Sequence, residues 1–271
     1  GLAIGVLEAE ATRYISAPGW GSAVPFVMIM VLLAVRGTSL PLRDYINQRL
    51  PMISTGLFKA RYVLLLIGAL IVVDYASTTA WRQAILTSLL AAIIGLSVVV
   101  IIGYTGQVSL VPYGLAGVGG LVAAQSAVHF HVSILPAMCI AIVVTVAMGV
   151  LISIPAVRTR GINLAIVTLG VGTVVSDVLL ANPSYTGGEN GLFIGNVTIF
   201  GWPIETFDHL DRYLLVVTLV FGLVILITVN LRRSLAGRRM IAVRDNERAA
   251  AVMGISVPSV KLLAFAISAS I

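Results

Sequence analysis

The side chains that could bind another molecule through charge and hydrogen bonding are concentrated in residues 234–258. This stretch combines four arginines with Asp245 and Glu247, and it separates two apolar segments. An Ala-rich run predicts a short helix from Glu247 to Met253 that ends at Gly254. An ordered short helix between two apolar segments indicates that something docks there.

The ends of this short helix can be predicted from capping chemistry. Asp245 is the predicted N-cap, Glu247 suits the positive end of the helix dipole, and Gly254 can adopt the left-handed conformation that closes the last turn. The alternative is an amphipathic helix that lies on lipid headgroups. The alanines at 249–251 form a poor lipid-binding face, so we favour docking.

The composition defines what surrounds this charged stretch. Of 271 residues, 59% are hydrophobic and 10% are charged, whereas a soluble domain carries about 25% charged residues. The mean hydropathy is +1.05. No Asp, Glu, Lys or Arg lies between Arg82 and Arg158. We therefore predict an all-α, polytopic transmembrane bundle of about 7–8 spans, since one span needs about 20 apolar residues.

The basic residues predict the orientation. Most of them lie in loops 36–61, 158–160 and 232–258, which the positive-inside rule places in the cytoplasm. The other connections, 77–82, 129–133 and 181–212, are predicted to lie outside. Because the cations flank spans instead of lining a groove, we exclude nucleic acid as a partner despite the net charge of +6.

Polar residues interrupt the apolar sequence at GYTGQVSL (103–110) and again in the segment after Gly161. The first interruption is either a broken helix beside a transport path or a plain cytoplasmic turn. Thr168 could instead bond back to its own helix, and Asn163 could be interfacial. The predicted substrate path comprises Tyr104, Thr105, Gln107, Ser109, Asn163 and Thr168.

The outer loop contains the glycine-rich run YTGGENGL (185–192). Such a run suits a specific tight fold, although a generic surface turn is the alternative. We predict that this run is a contact for an extracytoplasmic partner or an entry gate. The residues predicted for that role are Thr186, Gly187, Gly188 and Asn190.

The sequence gives little support for a catalytic site or a metal site. No phosphate-binding loop is present, because neither Lys59 nor Lys261 follows a glycine, so the chain is expected to be no enzyme and to hold no cofactor of its own. An intramembrane hydrolase would need facing acids at depth, but Asp74 and Asp177 fall near predicted outer ends. No metal site is predicted.

Four motifs in this order resemble one family. GYTGQVSL (103–110), RTRGINLAIVTLGVG (158–172), YTGGENGL (185–192) and RRSLAGRRMIAVRDNERAAAVMGISV (232–257) are similar to LivM-type permeases of branched-chain amino acid ABC importers. Residues 1–37 resemble the tail of the sister LivH-type permease. The predicted organisation is therefore a LivH-like tail at 1–37, a cytoplasmic linker at 38–60 and a LivM-like domain at 61–271, which is incomplete at its C-terminus.

The resemblance implies an alternating-access permease subunit in a bacterial or archaeal plasma membrane. It would carry branched-chain amino acids or a related small polar solute such as urea or an amide. The implied partners are two cytoplasmic ATPase subunits that hold ATP and Mg, an extracytoplasmic solute-binding protein, a second LivH-like permease unit and the lipid bilayer. The alternative is a stand-alone secondary transporter or channel. The predicted ATPase-coupling residues are Arg244, Asp245, Glu247, Ala249, Ala250 and Gly254.

Overall fold

A computed structural model describes most of the chain from residue 60 onward and parts of the N-terminal segment. The described residues are 2–15, 20–21, 23–24, 26–28, 31, 60–130, 132–158, 162–188, 191–192, 194–195, 197–199, 201–204 and 209–271. The predicted linker at 38–60 lies outside them except for its last residue, as do Asn190 and most of the basic turn at 158–160.

The described part is helical, as predicted. The helices are α1 (Leu2–Tyr14), α2 (Ala60–Ala76), α3 (Thr79–Val98), α4 (Val111–Phe130), α5 (Ile134–Arg158), α6 (Ile162–Val174), α7 (Pro183–Thr186), α8 (Leu210–Arg233), α9 (Leu235–Asp245), α10 (Glu247–Val252) and α11 (Val257–Ser270). Helices α3 and α6 continue as π-helical segments, Val99–Tyr104 and Val175–Leu180. A small antiparallel hairpin joins β1 (Thr198–Ile199) to β2 (Trp202–Pro203) in the outer loop.

Within the residues that the structure describes, four helical segments are long and apolar enough to cross a membrane: Thr79–Tyr104, Val111–Phe130, Ile134–Ile154 and Leu210–Arg233. Leu164–Leu180 and Val257–Ser270 are shorter apolar helices. Hydroxyl groups within the spans bond back to their own helix, as Thr145 does to Ala141 O at 2.9 Å. Such bonds leave few polar groups facing lipid, which is the main requirement for a spanning helix.

The spans pack in two groups. Helices α2, α3 and α8 share a cluster that includes Leu89 and Leu214. Helix α5 packs along both α4 and α11, and a second cluster around Leu115 and Val171 joins α4 to α6. The groups meet where Ser268 of α11 donates to Ser97 O of α3 at 3.0 Å.

A third cluster closes one end of the bundle. It joins the first π-helical segment to α9, α10 and α11, three helices that fall in or beside the stretch predicted as a loop. Its buried members are Val100, Tyr104, Met240, Val243, Ala250, Val260 and Ala264. We call this the inner end, because it carries the arginines of loop 232–258. The charged stretch is thus a folded layer packed under the spans.

Among the described residues, two pairs of segments predicted to share a side of the membrane lie together. At the inner end Arg244 contacts Gly103, and at the opposite end Gln125 of α4 donates to the backbone oxygen of Tyr185. Arg82 pairs with Asp74 at 3.1 Å, close to the turn that joins α2 to α3. The alternation deduced from the arginines therefore agrees with the packing.

Close packing of α5 against α11 predicts a specific effect at Gly149. A Cβ atom there would lie 2.7 Å from Ala269 Cβ and 3.3 Å from Phe265 O, whereas a Cβ at Gly120 meets no described atom within 4 Å. We expect Gly149→Ala to destabilise the protein by about 1–3 kcal/mol through overpacking. Gly120→Ala should be neutral or stabilising by up to about 1 kcal/mol, because alanine is the better helix former.

Thermal unfolding of the two purified variants in the same detergent measures these two changes in stability. The packing described for α5 and α11 would be contradicted if Gly149→Ala melted at or above the temperature of Gly120→Ala.

Candidate functional site

The inner end is built from α9 and α10, which follow α8 after a sharp turn. Ser234 ends α8 and caps α9, since its hydroxyl accepts a hydrogen bond from Gly237 N at 3.2 Å. A Cβ atom at Gly237 would collide with Leu231 O, so only glycine fits this reversal. Sequence reasoning missed α9, although a serine followed by apolar residues at helical spacing, Met240 and Val243, is the expected signal.

Helix α10 begins at Glu247, as predicted, and ends at Val252, one residue before the predicted end, but the prediction that Asp245 is its N-cap is wrong. Asp245 is the last residue of α9. Asn246 takes the extended conformation of a cap, and its Oδ1 accepts from the backbone N–H groups of Arg248 and Ala249, both at 3.0 Å. The cap moves because α9 continues through Asp245. At the other end Gly254 has φ +82°, the left-handed conformation predicted for it.

A buried ion pair fixes α10 to the second turn of α11. Lys261 Nζ lies 2.9 Å from Glu247 Oε1, and the side chains of Lys261 and Glu247 are 2% and 21% exposed. Burial removes the Lys261 ammonium from water, and the Glu247 carboxylate offsets that cost. The lone lysine in the apolar run SVKLLAF was a usable sequence signal for this pair, although no role was predicted for it.

Arg244 joins α9 to the interrupted segment 103–110. Its Nη1 donates to Gly103 O at 2.6 Å. Its Cγ would lie 3.0 Å from a Cβ at Gly106, where φ is +67°. Gly106 is therefore required both by its conformation and by the arginine that packs over it.

The interrupted segment 103–110 is also hydrogen-bonded to α6, at its C-terminal end. Leu110 N donates to Thr168 Oγ1 at 3.3 Å, and this hydroxyl donates to Ala165 O at 3.0 Å. Thr168 is fully buried, and the back-bond anticipated for it is confirmed. A continuous set of contacts therefore runs from α10 through α9 and the turn to α6.

Most predicted substrate-path residues bond within the chain. Tyr104 donates to Thr228 O at 3.0 Å, and Thr105 donates to Ile101 O at 2.6 Å. Ser109 accepts from Val111 N at 3.4 Å. The side chain of Asn163 lies outside the described part.

Gln107 differs from these residues. It is 5% exposed, yet neither of its amide atoms has a hydrogen-bond partner among the residues that the structure describes. A buried amide without partners costs about 1–3 kcal/mol, so a group from elsewhere would stabilise it. Among the path residues whose side chains are described, Gln107 is thus the one that is chemically available.

The free surface of α10 is not the one that the alanines suggested. Ala250 is 2% exposed and packs into the inner cluster, and Ala249 is half-buried. By contrast, Val252 and Met253 are 89% and 77% exposed, and Arg248 beside them is also exposed. Any partner that approaches α10 from solvent meets these three side chains first.

The outer loop has a defined local structure around α7. Asn182 caps α7 through a hydrogen bond from Ser184 N at 3.0 Å, and Thr186 donates to Asn182 O at 3.0 Å. Gly187 and Gly188 have φ of +77° and +67°. A Cβ atom at Gly187 would clash with Gly191 O at 2.5 Å. This region is a compact turn seated on α4, and Asn190 lies outside the described residues.

The acids considered for hydrolysis do not form a described catalytic pair. Asp74 binds Arg82, which also donates to Asp74 O at 3.2 Å. Within the described residues, no three His, Cys, Asp or Glu side chains come together as a metal site would require. The inner end is instead an arrangement of buried ionic and hydrogen-bonded contacts beneath an exposed apolar tip.

This architecture is that of an all-α polytopic membrane protein, and the comparisons identify the family. The family model described as branched-chain amino acid transport system / permease component matches residues 81–271. The chain belongs to this family and is a multi-pass membrane protein.

Two curated relatives carry the same name, high-affinity branched-chain amino acid transport system permease protein LivM, one from Salmonella typhimurium and one from Escherichia coli (strain K12). Each is 34% identical over 199 residues, which cover 66% of this chain and 47% of the relative. The chain spans about half the length of these relatives. No solved structure matches it.

The unequal burial of the ion pair predicts unequal effects of removing its two partners. Glu247→Gln leaves the Lys261 ammonium buried without a counter-charge, which costs about 3–5 kcal/mol. Lys261→Met should cost less, because water reaches the partly exposed Glu247. The double variant should recover much of the stability that Glu247→Gln loses.

Thermal unfolding of the three variants, together with hydrogen exchange of the α10 amides, measures this. Equal losses in the two single variants, with no recovery in the double, would contradict the role assigned to the pair.

Proposed function

We propose that this chain is the membrane-spanning permease subunit of an ABC importer, which takes up branched-chain amino acids or a related small polar solute. The observation that carries the proposal is the exposed tip of α10, where Val252 and Met253 face solvent on a helix whose other side is fixed in the core. Two separate ATPase subunits, which hold ATP and Mg, dock on this tip from the cytoplasm.

The tip has the chemistry of a helix-in-groove contact. Two large apolar side chains beside an arginine match the anchors that carry most of the binding energy at protein interfaces. A lipid-facing role is less suited, because α10 has only 6 residues and its alanine at 250 points inward. The contact proposed from the sequence therefore moves from Ala249 and Ala250 to Arg248, Val252 and Met253.

The interior contacts suit transmission of movement from that tip. The Glu247–Lys261 pair joins α10 to α11, and Arg244 joins α9 to Gly103. From Gly103 the interrupted segment 103–110 continues to Leu110, whose backbone N–H donates to Thr168 of α6. Because packed interiors deform little, a displacement of α10 reaches three helices together, α3, α6 and α11.

The remaining partners follow from the same proposal. An extracytoplasmic solute-binding protein delivers the solute to the outer loop, and a second, LivH-like permease unit completes the path, with residues 1–37 as part of such a unit. Gln107 is the residue on the predicted path that we assign to contact with solute, water or that second unit, since its amide is buried and has room for new bonds.

Replacing one apolar residue of the tip tests the docking. Met253→Asp places a charge in the apolar contact and should lower ATPase binding at least about tenfold, because an unpaired charge at an interface centre costs more than about 1.4 kcal/mol. The matched control is Ser256→Asp, which puts the same charge at an exposed position three residues away.

The measurement uses the full-length protein co-expressed with its ATPase subunits and reconstituted with the binding protein. The proposal predicts ATP-dependent leucine uptake that Met253→Asp abolishes and Ser256→Asp preserves, with matching co-purification of the ATPase. Uptake by the permease alone, driven by an ion gradient in ATP-free liposomes, would identify a secondary transporter and overturn the proposal.

A further inference from the structure

Helix α9 joins the inner ends of two spans. It begins two residues after Arg233, where the α8 span ends. Near its other end, Arg244 donates to Gly103 O, beside the end of the span that begins with α3. Tyr104, the last residue of that span, donates to Thr228 O of α8 at 3.0 Å, so the two span ends are neighbours. Because α9 is held at both span ends, it runs along the inner surface of the membrane.

The two faces of α9 differ in what they contact. Met240 and Val243 lie in the buried inner cluster and are 0% and 1% exposed. Leu235, Arg238 and Arg239 share the opposite face, at the i, i+3 and i+4 spacing of neighbours on a helix, and all three are exposed. We call this the arginine face. Within the part of the chain that the structure describes, the side chains of Arg238 and Arg239 form no ion pair or hydrogen bond.

The sequence around the arginine face is strongly positive. Residues 232–244 contain five arginines and no Asp or Glu. Of the acids that follow, Asp245 lies at the far end of α9, and Glu247 pairs with Lys261. The charge of the arginine face is therefore not balanced by acids of its own helix turn, and it favours an anionic partner.

Exposed apolar side chains indicate that this partner is lipid. Helix α8 exposes Leu215, Leu219, Leu223 and Ile227, which are spaced four residues apart and form one stripe along the span. Leu235 is 56% exposed and follows just beyond the inner end of that span. A leucine beside arginines is typical of a helix at the boundary of headgroups and acyl chains, where the leucine enters the apolar region and the arginines reach the phosphates.

We propose that the arginine face of α9 binds the phosphate group of an acidic phospholipid in the inner leaflet. Guanidinium groups donate paired hydrogen bonds to phosphate oxygens, and an acidic headgroup adds the negative charge that a cluster of arginines attracts. The bound lipid holds α9, and with it the layer that carries α10, against the membrane surface. This inference concerns the membrane alone and is independent of the solute and of the ATPase subunits.

A lipid titration of the full-length protein tests the proposal. The protein is purified in detergent, and phosphatidylglycerol is added in increasing proportion to phosphatidylcholine while the unfolding temperature is measured. The rise in unfolding temperature gives the apparent affinity for the acidic lipid. We expect Arg238→Gln and Arg239→Gln each to lower this affinity about fivefold, and the double variant to lower it at least about tenfold.

Three controls separate lipid binding from a change in the fold or in net charge. Arg248→Gln removes the same charge from another exposed position at the inner end and should leave the affinity unchanged. No ATPase is present, so the docking proposed for Arg248 does not enter. Arg238→Lys with Arg239→Lys should keep more of the affinity than the double glutamine variant, because the charge remains. In phosphatidylcholine alone all variants should unfold at the wild-type temperature, since the replaced side chains are exposed.

Three results would overturn the proposal. The first is an equal affinity for phosphatidylglycerol in the wild type and the double glutamine variant, which would leave the arginine face to a protein partner or to solvent. The second is an equal loss in Arg248→Gln and Arg239→Gln, because the lipid would then respond to net charge alone. The third is stabilisation by inorganic phosphate that equals that of the lipid, which would identify a site for a soluble anion.

Discussion

The guanidinium of Arg244, bound to the carbonyl of Gly103, is the contact on which the inner end depends. Helix α3 loses its regular pattern as it becomes π-helical and then stops, and broken helix ends near a membrane need polar partners from the protein itself. Arg244 supplies one at 2.6 Å and also packs over Gly106, which has no side chain to obstruct it. An arginine that sequence reasoning placed on a docking surface is therefore also a structural link to the membrane spans.

The protein combines a tightly packed inner end with an unfilled outer end. Below the spans, α9, α10 and α11 share one buried cluster, and the Glu247–Lys261 pair leaves α10 little freedom to move independently. Between α4, α5 and the second π-helical segment, the core is incomplete and opens beside the outer loop. A rigid element on one side and an open cavity on the other suit the alternating access that we propose for this subunit.

Sequence reasoning predicted the elements with strong local signals. Long uncharged runs gave the spans, the arginine distribution gave an orientation that the packing supports, and Gly254 was assigned its left-handed conformation correctly. It failed where the outcome depends on neighbours distant in the chain. The cap moved from Asp245 to Asn246 because α9, which was not predicted, continues through Asp245, and Ala250 proved buried because Val243 and Val260 pack beside it. Partners 141 positions apart, such as Arg244 and Gly103, leave no local pattern to read.

A reversible crosslink between the inner segment and the turn tests the central claim most directly. A Cβ at Gly106 would lie 3.7 Å from Arg244 Cβ, within the usual disulfide range of about 3.5–4.5 Å. The experiment starts from Cys139→Ala, which removes the one cysteine of the chain. In that background, Arg244→Cys with Gly106→Cys removes the arginine and its hydrogen bond when reduced and replaces the contact covalently when oxidised. Both states carry the same strain of a non-glycine residue at φ +67°, so the comparison between them reports the covalent link alone. If the two elements move as one body, oxidation of the reconstituted importer will raise the amount of solute taken up per ATP hydrolysed. If oxidation instead stops uptake while ATP hydrolysis continues, the segments must separate during the cycle and the account is contradicted.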